Sequence, residues 1–191
     1  MQSKDRLRPV SQFKVSRRNL PHFELPGSVY FLTFNTANRF ILSDSAKDLV
    51  LSSFQFQDSK KYALYACVVM DDHAHCILQP MEIINNAQAR RPVPLERPVP
   101  LKRTMPLEMP VTPEYYSLPQ ITHSIKSYSA NRIQKLLNIK GSIWQDENYD
   151  RIIRDENEYL EKMKYIINNP LKPGLVEKPE DYKWLFYKGI E

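Results

Sequence analysis

The sequence predicts an α+β domain: an antiparallel sheet with helices on one face and an additional helix toward the C-terminal end. Three observations carry this. Runs rich in β-branched and aromatic residues at 29–35, 62–70 and 73–79 read as strands. Segments at 44–57, 118–138 and 155–168 carry apolar residues at helical spacing. Their order, with a short edge strand at 142–145, is β-α-β-β-α-β followed by a helix, the ferredoxin-like pattern. It places both internal helices on one sheet face and leaves the other free for a site.

Each element has its own signal. The first helix turns Leu49, Val50, Ser53 and Phe54 to one side. The strands at 62–70 and 73–79 are close enough to form a hairpin. The second helix carries the stripe Leu118, Ile121, Ile125 and Leu136, with Lys126, Gln134 and Lys135 opposite. In the last helix Asp155 and Glu158 have capping-box spacing. Tyr159, Leu160, Met163, Ile166 and Ile167 form its apolar stripe. At about 100° per residue, Tyr165 lies roughly 160° from the centre of that stripe, on the polar side. Asn169 follows one turn later, and Pro170 biases its backbone out of the helix.

Residues 23–191 suit one domain with an appendage at each irregular stretch. Residues 1–22 form a basic arm, with Lys4, Arg6, Arg8, Lys14, Arg17 and Arg18 against Asp5. It is either a solvated tail or a phosphate-contacting arm. A proline-rich insert at about 88–113 interrupts the domain. Arg91-Pro-Val-Pro-Leu-Glu96 repeats at 97–102 and decays over 103–108. Its prolines exclude helix and central strand and favour extended or disordered chain, a duplication tolerated in a surface loop.

Composition narrows the function. The 191 residues carry 27 Lys and Arg against 22 Asp and Glu, a net charge of +5 and a pI near 9.1, which suits a polyanionic partner. With 4 glycines and no Gly-rich phosphate loop, nucleotide-driven chemistry has no support. Cys67 and Cys76 fall on the two hairpin strands as buried thiols, without zinc spacing. No long apolar run is present, so no membrane association and a reducing cytoplasm are expected.

The chemistry starts at His73-Ala74-His75. On a strand, residues i and i+2 share a face, so the two imidazoles project side by side while Ala74, Cys76 and Leu78 face the other way. Such a pair is a bidentate platform for a metal. Asp72 is placed either to orient one imidazole or to cap the turn. His22 and His123 read as incidental.

Four stretches then combine: Val68-Val-Met-Asp-Asp-His-Ala-His75, Ile125-Lys-Ser-Tyr-Ser-Ala130, Ile143-Trp-Gln-Asp-Glu-Asn-Tyr-Asp-Arg-Ile-Ile-Arg-Asp-Glu156, and Tyr165-Ile-Ile-Asn-Asn-Pro170 with Gly174-Leu-Val176 beyond. As an ordered set, covering roughly residues 28 to 187 apart from the insert, they resemble the single-tyrosine HUH transposases, specifically the REP-associated tyrosine transposases of the IS200-like group. The resemblance implies that Tyr165 on the terminal helix is the nucleophile and that His73, His75 and Asn169 hold a divalent metal, Mg²⁺ or Mn²⁺. It implies cleavage and rejoining of single-stranded or hairpin DNA, REP-like elements included, through a 5′-phosphotyrosine intermediate, by a monomer or a homodimer. Where relatives often carry histidine, this chain has Arg151. Tyr149 is the alternative nucleophile, although Ile153 stands four residues on, where an amide or histidine would be needed.

Arg39, Lys126, Arg132, Arg151 and Arg154 are the expected contacts to the DNA backbone. Tyr128 and Trp144 suit either base stacking or core packing. Two rival readings remain. One is a domesticated hairpin-DNA-binding module that does not cleave. The other is an RNA-binding ferredoxin-like domain, which would need aromatic residues where the strand offers His73, His75 and Ile77.

Overall fold

A computed structural model describes residues 14–17, 21–83 and 113–189, with side chains from residue 24 onward. The proline-rich insert lies outside the described residues apart from its last position. Of the basic arm, only two short strands are described. These are β1 (Lys14–Arg17) and β2 (Pro21–Glu24), which pair antiparallel with each other.

The main body runs β3 (Tyr30–Asn35), α1 (Asp44–Gln57), β4 (Tyr62–Val69), β5 (His73–Pro80), α2 (Leu118–Leu137), β6 (Tyr149–Ile152), α3 (Glu156–Ile167) and β7 (Leu185–Tyr187). Five strands form one antiparallel sheet in the order β6-β3-β5-β4-β7. The fold is α+β, with three helices around that sheet.

Strand alternation sorts the sheet into two faces. On one, Tyr30, Leu32 and Phe34 of β3 and Ala74, Cys76 and Leu78 of β5 meet Ala46, Val50 and Phe54 of α1 and Ile121, Ile125 and Ile133 of α2. On the other, Phe31, Ile77, Ala66 and Val68 meet Met163 and Ile166 of α3. A register shift between Leu64 and Ala66 lets Leu64 and Cys67, an odd spacing, share the α1/α2 face. Both cysteines are buried free thiols, and burial pushes their pKa values up.

Helix ends follow local chemistry. Ser43 accepts from the Ala46 N–H, and Ser117 with Gln120 closes a capping box. Asn138 ends α2 in the left-handed conformation that asparagine tolerates.

Three expectations need correction, and one strand is added. Residues 142–145 are not the edge strand; β6 is, alongside Tyr30–Thr33. Ile143 and Trp144 instead turn into the α2-side core, where Trp144 Nε1 donates to Ser129 Oγ at 3.0 Å, and only an isolated bridge joins Trp144 to Thr36. Leu136 is 52% exposed, and Ile133 with Ser129 takes the buried arc. The second sheet face is not wholly free, because α3 covers part of it. Finally, β7 closes the β4 edge. It is anchored by Tyr182 Oη donating to the Val69 carbonyl (2.9 Å) and Trp184 Nε1 donating to Asp48 (2.8 Å).

Buried Glu158 ties the first turn of α3 to β6. Its carboxylate accepts from the Arg154 backbone N–H (3.0 Å), from Arg154 Nε (3.1 Å) and from Arg151 Nε on β6. Burial pushes the carboxyl pKa up, but these donors outweigh it and hold it at about 2 rather than 4.5. A depressed acid stabilises the fold above its unfolded pKa and loses that contribution as pH falls through the folded one. Glu158→Gln should therefore be less stable than wild type near neutrality, with the gap closing as pH falls from about 5 toward about 2.5. Urea midpoints across that range measure it; a constant gap would mean that the ionised form of Glu158 adds nothing.

Candidate active site

The site is built on the sheet face that α3 overlies. Register places Asn35 opposite His73 and Thr33 opposite His75, with Tyr149 of β6 on the other side of Thr33. Cross-strand partners point to the same face. Tyr149, Thr33 and His75 therefore form a row, with Asn35 and His73 beside it. The two imidazoles are neighbours, with ring centroids 4.8 Å apart.

Each imidazole has its Nδ1 engaged. His73 Nδ1 lies 2.7 Å from Asp72 Oδ1, and His75 Nδ1 lies 2.8 Å from Thr33 Oγ1. With the proton on Nδ1, each partner accepts it and each Nε2 keeps its lone pair available to a ligand. Asp72 thus orients His73, one of the two roles its position suggested. Thr33 is a contact that sequence reasoning missed. Its place on the face shared with Phe31 and Asn35 was readable from alternation, but the register with β5 was not.

Tyr165 reaches this point from α3. Its Oη is 3.5 Å from His75 Nε2, at the long limit of a hydrogen bond, and its ring stands edge-on to His75 (5.1 Å) and Phe31 (5.9 Å). His75 in turn stacks on Phe31 at 5.4 Å. Tyr165 is 38% exposed. The helix is rotated relative to expectation: Leu160 and Ile167 are only partly buried, whereas Met163, Ile166 and Glu158 are buried. This moves the docked arc toward Tyr165, leaving it roughly 100° from the centre instead of 160°. The tyrosine sits on the flank of α3, over the histidines, and not on its outer side.

Asn169 opens a 3₁₀ turn, Asn169–Leu171, at the end of α3. It is 5% exposed, and among the described residues its carboxamide makes no hydrogen bond. Its amide atoms are still reached by water: among the described residues the fully buried side-chain polar atom without a partner is Thr36 Oγ1. The described residues hold no cluster of three or more His, Cys, Asp or Glu side chains suited to a metal. The donors expected here are two imidazoles, which the sheet brings together, and the Asn169 amide, which lies just past the end of α3. That set fits a divalent cation: both Nδ1 atoms are tied off, the amide oxygen is uncommitted, and His75 stays neutral. Burial, the His73 ring and the Lys172 charge together lower the His75 pKa to about 3.

The five basic residues expected at DNA are placed differently. Arg39 is exposed, with a left-handed backbone at the end of a 3₁₀ turn, Ala37–Arg39. Lys126 Nζ donates to the carbonyls of Gln145 (3.0 Å) and Asp146 (3.1 Å), fixing the loop before β6. Arg132 hydrogen-bonds Tyr128, whose ring is stacked on Phe56. Arg151 and Arg154 share Glu158. His123 lines a separate surface cavity with Lys126 and Trp144. Tyr149 is 48% exposed and stands on β6 two residues from Arg151.

The lowered pKa of His75 is directly measurable. Its ring should remain neutral in an NMR titration down to about pH 3, against an ordinary value of 6.5. The unfolded chain takes up that proton below 6.5 and the folded chain does not, so this residue makes the fold lose stability as pH falls through that window. A midpoint near 6.5 would mean that water reaches the ring.

No family model matches this chain, and no curated protein does. Several solved structures are similar, and two of them illustrate the match. One is a REP-associated tyrosine transposase bound to a REP hairpin, with TM-score 0.60 and 18% identity over 88% of this chain and 82% of that one. The other, a "putative transposase" from Deinococcus radiodurans R1, has TM-score 0.38 and 16% identity over 80% of this chain and 95% of its own. The chain thus shares its fold with a REP-associated tyrosine transposase, the family whose motifs its sequence resembles.

Proposed function

We propose that this protein is a single-tyrosine HUH transposase that cleaves and rejoins single-stranded or hairpin DNA. We take β6-β3-β5-β4, with α1 after β3 and α2 after β5, as a ferredoxin-like core, and α3 as the helix that carries the nucleophile. The observation that carries the reading is the 3.5 Å approach of Tyr165 Oη to His75 Nε2, beside a second imidazole. Asn169, in the turn that directly follows the helix carrying Tyr165, supports it, its carboxamide having no hydrogen-bond partner among the described residues. The structural neighbour is bound to a REP hairpin, which is the substrate class we assign here.

In this reading His73, His75 and Asn169 hold Mg²⁺ or Mn²⁺. When bound, such an ion stabilises negative charge on the phosphate oxygens of the substrate. Tyr165 Oη attacks the phosphorus, forming a phosphotyrosine bond at the 5′ side as the bond to the 3′ oxygen breaks. The phenol proton passes to solvent, and the departing 3′ oxygen takes up a proton. The covalent link keeps the phosphodiester energy, so rejoining by the reverse attack needs no nucleotide. Phe31 and His75 fix the plane of the Tyr165 ring, and Thr33 and Asp72 fix the imidazoles. We place the protein in the cytoplasm as a monomer or homodimer. Among the described residues no helix is long and apolar enough to cross a membrane.

The test uses labelled hairpin oligonucleotides copied from the DNA flanking its own coding sequence, with Mg²⁺ or Mn²⁺. Tyr165→Phe should reduce the covalent adduct by at least about a thousandfold while hairpin binding survives. His73→Ala should also stop cleavage, and Tyr149→Phe should retain activity. An adduct that persists in Tyr165→Phe and disappears in Tyr149→Phe would transfer the nucleophile to Tyr149. Hairpin binding with no adduct from wild type in either metal would make the protein a non-cleaving DNA-binding module.

A further inference from the structure

We propose that Lys172 grips the scissile phosphodiester, binding a nonbridging oxygen of the phosphate that Tyr165 attacks. This rests on Tyr165 as the nucleophile. Lys172 Nζ lies 3.9 Å from the centroid of the Tyr165 ring, and Lys172 is exposed. Among the described residues it makes no ion pair or hydrogen bond. Three other cations of this region are committed: Lys162 to Glu161 at 2.9 Å, and Arg151 and Arg154 to Glu158.

The backbone beneath Lys172 is held firmly. The Leu171 N–H donates to the Asn168 carbonyl (3.2 Å), Gly174 N–H to Leu171 (3.0 Å) and Leu175 N–H to Pro170 (3.2 Å). Lys172 itself has helical φ −59° and ψ −46°. Its Cα is thus fixed relative to the end of α3, and only the side chain moves. An exposed cation resting on a phenol ring makes a weak contact that a charge-assisted hydrogen bond to phosphate readily replaces. A phosphoryl group bonded to Oη brings its oxygens to the end of that same ring. The class of ligand is therefore the anionic phosphodiester of a nucleic acid strand.

The full-length protein tests this. Wild-type cleavage is first mapped on the flanking-DNA hairpin oligonucleotides in Mn²⁺. Under single-turnover conditions Lys172→Ala should slow adduct formation roughly 10- to 100-fold, the loss of one charge-assisted hydrogen bond. Lys172→Arg should retain most of the rate, Lys172→Gln should not, and all three should melt like wild type. Placing a methylphosphonate at the mapped position replaces one charged oxygen by a methyl group. The Lys172→Ala penalty should then largely vanish. A wild-type rate in Lys172→Ala, or an equal penalty on both linkages, overturns the proposal while leaving Tyr165 as the nucleophile. Should the neutral linkage be inert with every protein, Lys172→Arg and Lys172→Gln decide, and equal rates for the two overturn it. Wild type that forms no adduct removes the nucleophile assignment and this role together.

Discussion

The register between β3 and β5 is the constraint on which the rest depends. Thr33 opposite His75 and Asn35 opposite His73 fix which side chains share a face. A slip of one residue would turn every side chain of β5 over. Both imidazoles would then be buried under α1 and α2, and Ala74 and Cys76 would face α3. The apolar core opposes that slip: Leu32, Phe34, Ala74, Cys76 and Leu78 all belong to one cluster with the two helices. Burying a Leu or Phe side chain contributes about 1.5–3 kcal/mol, so the wrong register forfeits several such terms and buries two polar rings. The chemistry of one face is thus positioned by the packing of the other.

The second requirement is the rotation at which α3 docks. Met163 and Ile166 hold it on the sheet, and Glu158 ties its first turn to β6 through Arg151. These contacts bring one flank over the histidines. Tyr165 is consequently packed on one edge, against Phe31 and His75, and open on the other. That compromise suits a nucleophile: packing restricts the ring, and exposure admits a substrate. The 3₁₀ turn that follows puts Asn169 and Lys172 at the same end of the helix.

Much of this was legible in the sequence. The hairpin strands, α1, α2 and α3 lie within a residue or two of where periodicity and capping put them, because each has a strong local signal: a Ser or Asp cap, or a β-rich run. Alternation alone put His73 and His75 on one face. Elements whose pairing is decided at long range were not legible. Tyr149–Ile152 has no apolar alternation, whereas Ile143 and Trp144 looked more strand-like and yet serve the α2 core. With three residues, β7 offers no period at all. The position of Tyr165 was half legible. Its spacing separated it from the stripe, but the rotation of the docked arc depends on how deeply Leu160 and Ile167 are buried, which composition does not encode.

The two candidate tyrosines share a face, so face alone does not choose between them. Distance across the sheet does. Tyr149 belongs to β6 and His75 to β5, with β3 between them. Neighbouring strands lie about 4.7–4.9 Å apart, so the two backbones are separated by roughly 9–10 Å, and strand side chains stand nearly perpendicular to the sheet. Tyr149 therefore rises beside the histidines without leaning over them. Tyr165 comes from a helix that lies across the sheet, and its side chain descends toward the imidazoles from above. Its Oη stands 3.5 Å from His75 Nε2. In the proposed reaction the attacking group approaches a phosphate over the histidines from outside the sheet plane, and of the two candidate tyrosines Tyr165 is the one so placed.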